Sequence, residues 1–316
     1  NGWVVANGLI YTTPKHCTCW PLLRGYVALA PALPGGEDPA KVPVEQVTLP
    51  LEKGRASGGI RDAGMGVRKP ASELRTPNSE IQTSSDWPMY RHDVWRSGGT
   101  AAAGPESLKI IWSARLACEA DVAPPAGPIL HDWRENPFVK GPLSAPVVAD
   151  GRVYVTRPDA HEVLAIDAGS GKVRWQFIAD GRVDTPPAIH RGLCLFGTHG
   201  GSVYALRADS GELVWRLRVA PRDEQVVAYG QLESPWPVPG AVLALDGIAY
   251  FVAGRQAFAD GGVLVCAVDA CTGERRWVRR IDAVPQAGYY ENSALEFDPV
   301  DILHREGDGI AMSRWI

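Results

Sequence analysis

Short runs in which apolar and polar residues alternate, each broken by a two-residue turn pair, recur along this chain. In Ala145-Pro-Val-Val-Ala-Asp150-Gly151-Arg-Val-Tyr-Val-Thr156 the alternation has the two-residue period of a half-buried strand on both sides of Asp-Gly. A pair of that kind closes a tight hairpin, because glycine takes a positive φ without steric cost. The same pattern surrounds Arg191-Gly192 and Asp246-Gly247, and it returns near the ends at Asn7-Gly8 within 3–12 and Asp308-Gly309 within 302–313.

Each full unit adds a third strand, Glu162–Ile166 or Ser202–Leu206, then a glycine-containing turn and a fourth strand that carries a tryptophan. The turn and the fourth strand repeat three times. They read Ala165-Ile-Asp-Ala-Gly-Ser-Gly171-Lys-Val-Arg-Trp175, Ala205-Leu-Arg-Ala-Asp-Ser-Gly211-Glu-Leu-Val-Trp215 and Ala267-Val-Asp-Ala-Cys-Thr-Gly273-Glu-Arg-Arg-Trp277. Trp175 and Trp215 lie 40 residues apart, close to the period of four-stranded propeller repeats, whereas Trp215 and Trp277 lie 62 apart. The third unit is therefore expected to carry extra loop residues at 218–234 and 254–262.

These elements predict an all-β propeller of four-stranded antiparallel blades, with about four to five blades in an incomplete ring. Clear repeats fall at 145–177, 185–217 and 235–279, with a half blade at 301–316. Residues 1–30 read as a partial blade ending in the strand-like 24–30. Residues 31–85, polar and rich in Pro, Gly and Ser, read as an insertion or loop. Leu108–Leu116 is expected to resume the pattern as a fourth strand, with Trp112 in the role of the repeated tryptophan. Because the terminal sheets would lack a neighbour, the segment is expected to belong to a longer chain.

Composition agrees with many short strands and tight turns: 11 tryptophans, 34 glycines and 26 prolines in 316 residues. A net charge of −4 argues against a general nucleic-acid surface. No apolar run approaches the roughly 18 residues of a membrane helix. The chain begins at Asn1 without a charged-then-apolar leader, so any export signal is expected to be removed or to lie outside this segment. Cys194 and Cys266 sit within apolar runs and read as buried thiols.

The signature Ala-x-Asp-x-x-Thr/Ser-Gly-x-x-x-Trp resembles the repeat of the quinoprotein dehydrogenase-like propellers, the family of pyrroloquinoline quinone (PQQ) enzymes and of the BamB outer-membrane assembly lipoprotein. Asp86-Trp-Pro-Met-Tyr-Arg-His-Asp-Val-Trp-Arg-Ser-Gly98 is similar to the opening seen ahead of such repeats. The resemblance implies a structural docking role for Trp175, Trp215, Trp277 and Trp112, each stacked on a peptide plane of the adjacent repeat. It also implies a periplasmic or extracellular setting. PQQ and calcium are possible cofactors by resemblance alone, because the adjacent cysteine pair of the methanol-type enzymes and a Cys-x-x-Cys-His haem motif do not occur in this sequence. The function implied is a non-catalytic module that binds or scaffolds a protein or polysaccharide surface, or a small molecule. The alternative is a fragment of a PQQ-dependent oxidoreductase whose quinone and calcium ligands lie in further blades.

Three groups of residues carry candidate chemistry. Gln231, Glu233 and Trp236, with Arg255 from the widened hairpin, would line a ligand pocket at the channel mouth, since long loops on a rigid scaffold carry sites. Arg91, His92 and Asp93 offer an anion or carbohydrate contact, or else fix a loop between blades. His16, Cys17 and Cys19 offer soft ligands to a metal, against a disulfide or a plain surface loop. No catalytic residue stands out.

Overall fold

The computed structural model describes residues 3–6, 9–12, 27–29, 43–44, 47, 49–58, 86–104, 106–116, 142–228, 231–255, 261–281 and 302–312. Among these, strands and short 3-10 turns account for the regular structure, and no α-helix occurs. β1 (Trp3–Ala6), β2 (Leu9–Thr12) and β3 (Val27–Leu29) form a first sheet, with Ala6 opposite Leu9 bracketing Asn7 and Gly8. β3 falls within the 24–30 expected, and the remaining residues of that stretch and the turn residues lie outside the described set.

Three larger antiparallel sheets follow in chain order. β5 (Val147–Ala149), β6 (Arg152–Arg157), β7 (Glu162–Asp167) and β8 (Val173–Ile178) make the first of them, sheet P. β9 (Ala188–His190), β10 (Leu193–Gly197), β11 (Ser202–Arg207) and β12 (Leu213–Arg218) make sheet Q, and β15 (Leu243–Leu245), β16 (Ile248–Ala253), β17 (Val263–Asp269) and β18 (Arg275–Ile281) make sheet R. A hairpin of β13 (Val226–Ala228) and β14 (Gln231–Glu233) stands between Q and R, and a last pair, β19 (Leu303–Glu306) with β20 (Gly309–Met312), follows R. This is a PQQ-like propeller arc whose ring is not closed.

The hairpin turns follow from local chemistry. Asp150-Gly151, Arg191-Gly192 and Asp246-Gly247 all have both residues at positive φ, between 50° and 78°, which matches the right-handed twist of the flanking strands. The last hairpin differs from expectation by one residue: its turn is Gly307-Asp308, with Gly307 at φ 56°, and Gly309 already pairs with Glu306.

Sheet Q is buried on both faces. Cys194, Phe196, Tyr204 and Leu206 pack with Val147, Tyr154, Val163 and Trp175 of sheet P. Leu193, Leu195, Val203 and Trp215 pack with Leu243, Phe251, Val252 and Cys266 of sheet R. Alternate residues of one strand thus serve two interfaces, as a two-residue period requires. Burial pushes the Cys194 and Cys266 thiols well up, so both behave as small apolar groups.

A tryptophan dock repeats across these interfaces. Ala165, Ala205 and Ala267 pair with Trp175, Trp215 and Trp277, and a register shift follows each pair. The indole of Trp175 donates to the Ala208 carbonyl of the next sheet (3.0 Å), and that of Trp215 donates to Ala270 (2.9 Å). Gly211 (φ 75°) and Gly273 (φ 72°) lie flat against these rings, and a Cβ on either would sit 2.7 Å from ring carbon. Trp112 does the same to sheet P, donating to Ala168 at 2.7 Å and covering Gly171. Trp277 is different. It is 38% exposed, beside Tyr250 and under the Arg279 guanidinium.

Leu108–Leu116, expected as a strand, has no ladder partner among the described residues, and Leu108, Ile110 and Ile111 are exposed. Only its tryptophan engages as the repeat requires. Within the stretch read as insertion or loop, Leu51–Lys53 forms β4, which pairs antiparallel with the outer edge of β12. Arg275 donates to the Val47 carbonyl and Lys53 to that of Thr272, so this stretch bridges the outer rims of sheets Q and R.

Residues 86–98 cross the first strands of successive sheets. Trp87 exchanges two backbone hydrogen bonds with Val148 of β5 (2.6 and 2.8 Å), Ile189 of β9 donates to Pro88 (2.7 Å), and Arg305 of β19 donates to Val94 (2.7 Å). Arg96, a buried cation, donates to the carbonyls of Leu303 (3.0 Å), Tyr90 (2.8 Å) and Val242 (3.3 Å). The first strands therefore converge on this segment, and the Asp150-Gly151 type of turn marks one end of the arc.

Candidate functional site

The opposite end carries the β6–β7, β10–β11 and β16–β17 turns and the connections between sheets. There the chain buries a cluster of charges. Asp159 comes from the β6–β7 turn, Arg182 and Asp184 from the β8–β9 connection, and His199 from the β10–β11 turn. Gln231 and Glu233 come from β14, and Arg255 follows β16. Arg182, Asp184, His199 and Glu233 each have side chains only 2% exposed.

His199 lies between two carboxylates, with Nε2 2.8 Å from Asp184 and Nδ1 3.0 Å from Glu233. Arg182 donates to Asp184 through Nε at 3.1 Å and to Asp159 through Nη1. Gln231 donates to the same Asp159 oxygen at 2.8 Å, and Arg255 donates to Glu233 at 2.7 Å. The backbone fixes this order. His199 N–H donates to the Arg182 carbonyl (2.9 Å), Ser234 N–H to that of His199 (2.8 Å), and Val238 N–H to that of Thr198 (2.8 Å). Gly181 and Gly200 let the two backbones meet, since a Cβ on Gly181 would lie 2.4 Å from the Gly200 nitrogen.

Burial disfavours the charged form of His199, but Glu233 and Asp184 outweigh it and push its pKa up to about 9. Burial likewise opposes ionisation of Asp184 and Glu233. His199 with Arg182, and His199 with Arg255, hold these two carboxyls below their ordinary values. His161, nearby, is pushed down by burial and by Arg182. A second cluster flanks the first: Asp180 accepts from Thr198 (2.6 Å), Ser202 (2.6 Å) and Arg216 (2.7 Å).

The structure places Gln231, Glu233 and Arg255 in this one cluster, Gln231 on Asp159 and Arg255 on Glu233. Trp236 is buried, with 1% of its surface exposed. Arg91, His92 and Asp93 belong to the axial segment. The His92 ring lies 4.8 Å from that of Trp87, and Asp93 accepts from the Ser97 amide and hydroxyl, which fixes the loop. His16, Cys17 and Cys19 lie outside the described residues. Asp159, Arg182, Asp184 and His199 went unread in the sequence because each occurs once, in a turn or connection of ordinary length. Their signal was positional, since propeller topology sends these turns to one end.

The family profile described as outer membrane protein assembly factor BamB matches residues 98–300. The chain belongs to that BamB-like PQQ-repeat family. Among its relatives, BamB of Yersinia pestis is 27% identical over 203 residues, covering 61% of this chain and 46% of that protein. The dehydrogenase subunit of a quinone alcohol dehydrogenase from Acetobacter aceti is 32% identical over 186 residues, covering 55% of this chain and 22% of the relative. The chain therefore spans less than half the length of these relatives. The quinohemoprotein alcohol dehydrogenase structure from Comamonas testosteroni aligns over 64% of this chain and 28% of its own, with 22% identity and a TM-score of 0.47.

The BamB-like PQQ-repeat family contains both quinone enzymes and an assembly factor, so the donor set must be tested against the cofactors. A calcium ion beside a quinone needs carboxylate or amide oxygens turned toward it. In this cluster Asp184 and Glu233 each face two cationic side chains, and Asp159 faces Arg182 and Gln231. A cation placed among Arg182, His199 and Arg255 would be repelled by all three. The cluster does not fit a calcium site.

Proposed function

We propose that this chain is a binding and scaffolding propeller module of an exported protein, with no dehydrogenase chemistry of its own. The observation that carries this reading is the rigid mounting of the β13–β14 hairpin. Its inner side is clamped by Glu233 to His199 and Arg255 and by Gln231 to Asp159, while Leu232 between them is 60% exposed. An apolar side chain held outward on a fixed hairpin offers contact area at little entropic cost. The buried charges serve as the mount. The connection that carries the hairpin spans 219–242, against 179–187 between the preceding sheets, and this departure from the repeat marks the recognition surface.

The family's assembly factor supports a partner that is a protein surface in the bacterial envelope; a polysaccharide or a small molecule remains the other ligand class. The quinone-enzyme relatives favour the competing reading, in which further blades supply cofactor ligands. Reconstitution of the complete protein with PQQ and calcium separates the two. The module reading expects no stoichiometric quinone absorbance after desalting and no dye reduction with alcohols or sugars. Quinone retained one to one, with dye reduction, overturns it.

A further inference from the structure

A polar atom buried without a partner is costly, so several such atoms standing together point to a bound group that pairs with them. The charge cluster holds four. Its side chains form a ring: Arg182 donates to Asp159 and to Asp184, Gln231 donates to Asp159, and His199 joins Asp184 to Glu233. Gln231 and Glu233, two residues apart on β14, share a strand face and close the ring. Around it Arg182 Nη2, Gln231 Oε1, Glu233 Oε1 and Arg255 Nε are buried and have no hydrogen-bond partner among the described residues.

The pairing inside the ring leaves these atoms over. Glu233 Oε2 meets both His199 (3.0 Å) and Arg255 (2.7 Å), while Oε1 of the same carboxylate meets neither. Likewise Asp159 Oδ1 accepts from both Arg182 and the Gln231 amide, which leaves Arg182 Nη2 and Gln231 Oε1 unused. The four atoms share one neighbourhood. Burial opposes ionisation of Glu233, and Arg182 joins His199 and Arg255 in holding its carboxyl below the ordinary value. Arg182 and Glu233 are the most deeply buried of the four residues, whereas Gln231 and Arg255 are partly exposed and give the solvent side.

The chemistry of the unpaired atoms selects the ligand. Arg182 Nη2 and Arg255 Nε are donors, and Gln231 Oε1 and Glu233 Oε1 are acceptors. With His199 protonated, three cations balance the carboxylates of Asp159, Asp184 and Glu233, so the ring favours neither an anion nor a cation. A hydroxyl group donates and accepts at once, and two neighbouring hydroxyls match two donors and two acceptors. We propose that this ring binds a vicinal diol of a neutral sugar or polyol, with Arg182 and Arg255 donating to its oxygens and Gln231 and Glu233 accepting from its hydroxyls. Leu232 takes no part, so this site and the hairpin's protein contact stand or fall separately.

The test titrates the full chain with D-glucose, myo-inositol and maltoheptaose by calorimetry, and follows the His199 ring by NMR. Binding of at least one is expected, with the His199 signals shifted through Glu233; tighter binding of maltoheptaose than of glucose identifies a glycan end, and the reverse a free sugar. Because the ligand is neutral, affinity is expected to change less than about twofold between about 0.05 and 0.5 M salt. Fully O-methylated glucose, which keeps acceptors but has no hydroxyl to donate, is expected not to bind. Gln231→Met, checked for folding by circular dichroism, removes one acceptor at similar length and is expected to weaken binding about tenfold, while Arg174→Ala on β8 leaves it intact. No binding of any of the three at about 100 mM, which leaves water alone as the partner of these atoms, overturns the proposal. So do equal binding of the methylated sugar, undiminished binding by Gln231→Met, or binding that leaves the His199 signals unmoved.

Discussion

The tryptophan docks and the buried charge cluster both join neighbouring sheets, yet they do so by opposite means. A dock is one indole, one carbonyl and one glycine, and the same three parts recur at Trp112, Trp175 and Trp215. Among the described residues the cluster is assembled once, from five separate stretches of chain that run from the β6–β7 turn of sheet P to the residue after β16 of sheet R. What repeats holds the arc together. What occurs once mounts the only inserted hairpin described between two sheets. A shared apolar contact tolerates repetition, whereas a buried set of charges is stable only where every member finds its partner.

The contrast can be broken most forcefully at the dock. Trp215→Ala, at a side chain with no exposure, is expected to cost about 3–5 kcal/mol in chemical denaturation. Trp277→Ala, at a ring more than a third exposed, is expected to cost only about 1 kcal/mol, and equal losses would remove the distinction between engaged and open docks. Glu233→Gln comes next. It leaves His199 and Arg255 without their shared carboxylate, for an expected loss of about 3 kcal/mol, and it lowers the His199 pKa when followed by NMR.

Gly273→Ala forces a side chain to adopt φ 72° against the Trp215 ring, for an expected loss of about 2 kcal/mol by the same denaturation measurement. The pH dependence is gentler and has a definite sign. His199 is raised from 6.5 to about 9 in the folded chain, so its stabilisation is full below 6.5 and is lost as pH rises toward 9. Asp184 and Glu233 are lowered, so theirs is present above the ordinary carboxylate range and is lost as pH falls. Melting temperature is expected to be highest in the weakly acidic range and to decline on the alkaline side, a decline that His199→Gln abolishes. Leu232→Ser is expected to shift stability by less than about 0.5 kcal/mol while weakening partner binding.

Much of the fold was legible because its determinants are local. The Asp-Gly pairs and the Ala-to-Trp spacing each lie within one hairpin or one turn, where residue type decides conformation. Gln231, Glu233 and Arg255 were legible because they occupy the added length of the third unit. The rest depended on distant chain segments. Leu51–Lys53 gains its strand only from β12, more than 150 residues later, and nothing in its polar surroundings shows that alternation. Leu108–Leu116 has the alternation but no partner strand among the described residues. Asp184 and His199 are ordinary residues of short connections until the sheets stack and bring them within 2.8 Å.

The axial segment has a temporal consequence. Its residues 86–98 are made before every strand they touch, and the last of their hydrogen bonds, from Arg96 to Leu303 and from Arg305 to Val94, wait for residues more than 200 positions downstream. On a ribosome adding about 5–20 residues per second, Arg96 stays hydrated for on the order of ten seconds or more before the Leu303 carbonyl is made. The early part of this protein is thus synthesised well ahead of the strands it joins, and the last strands complete its bonding.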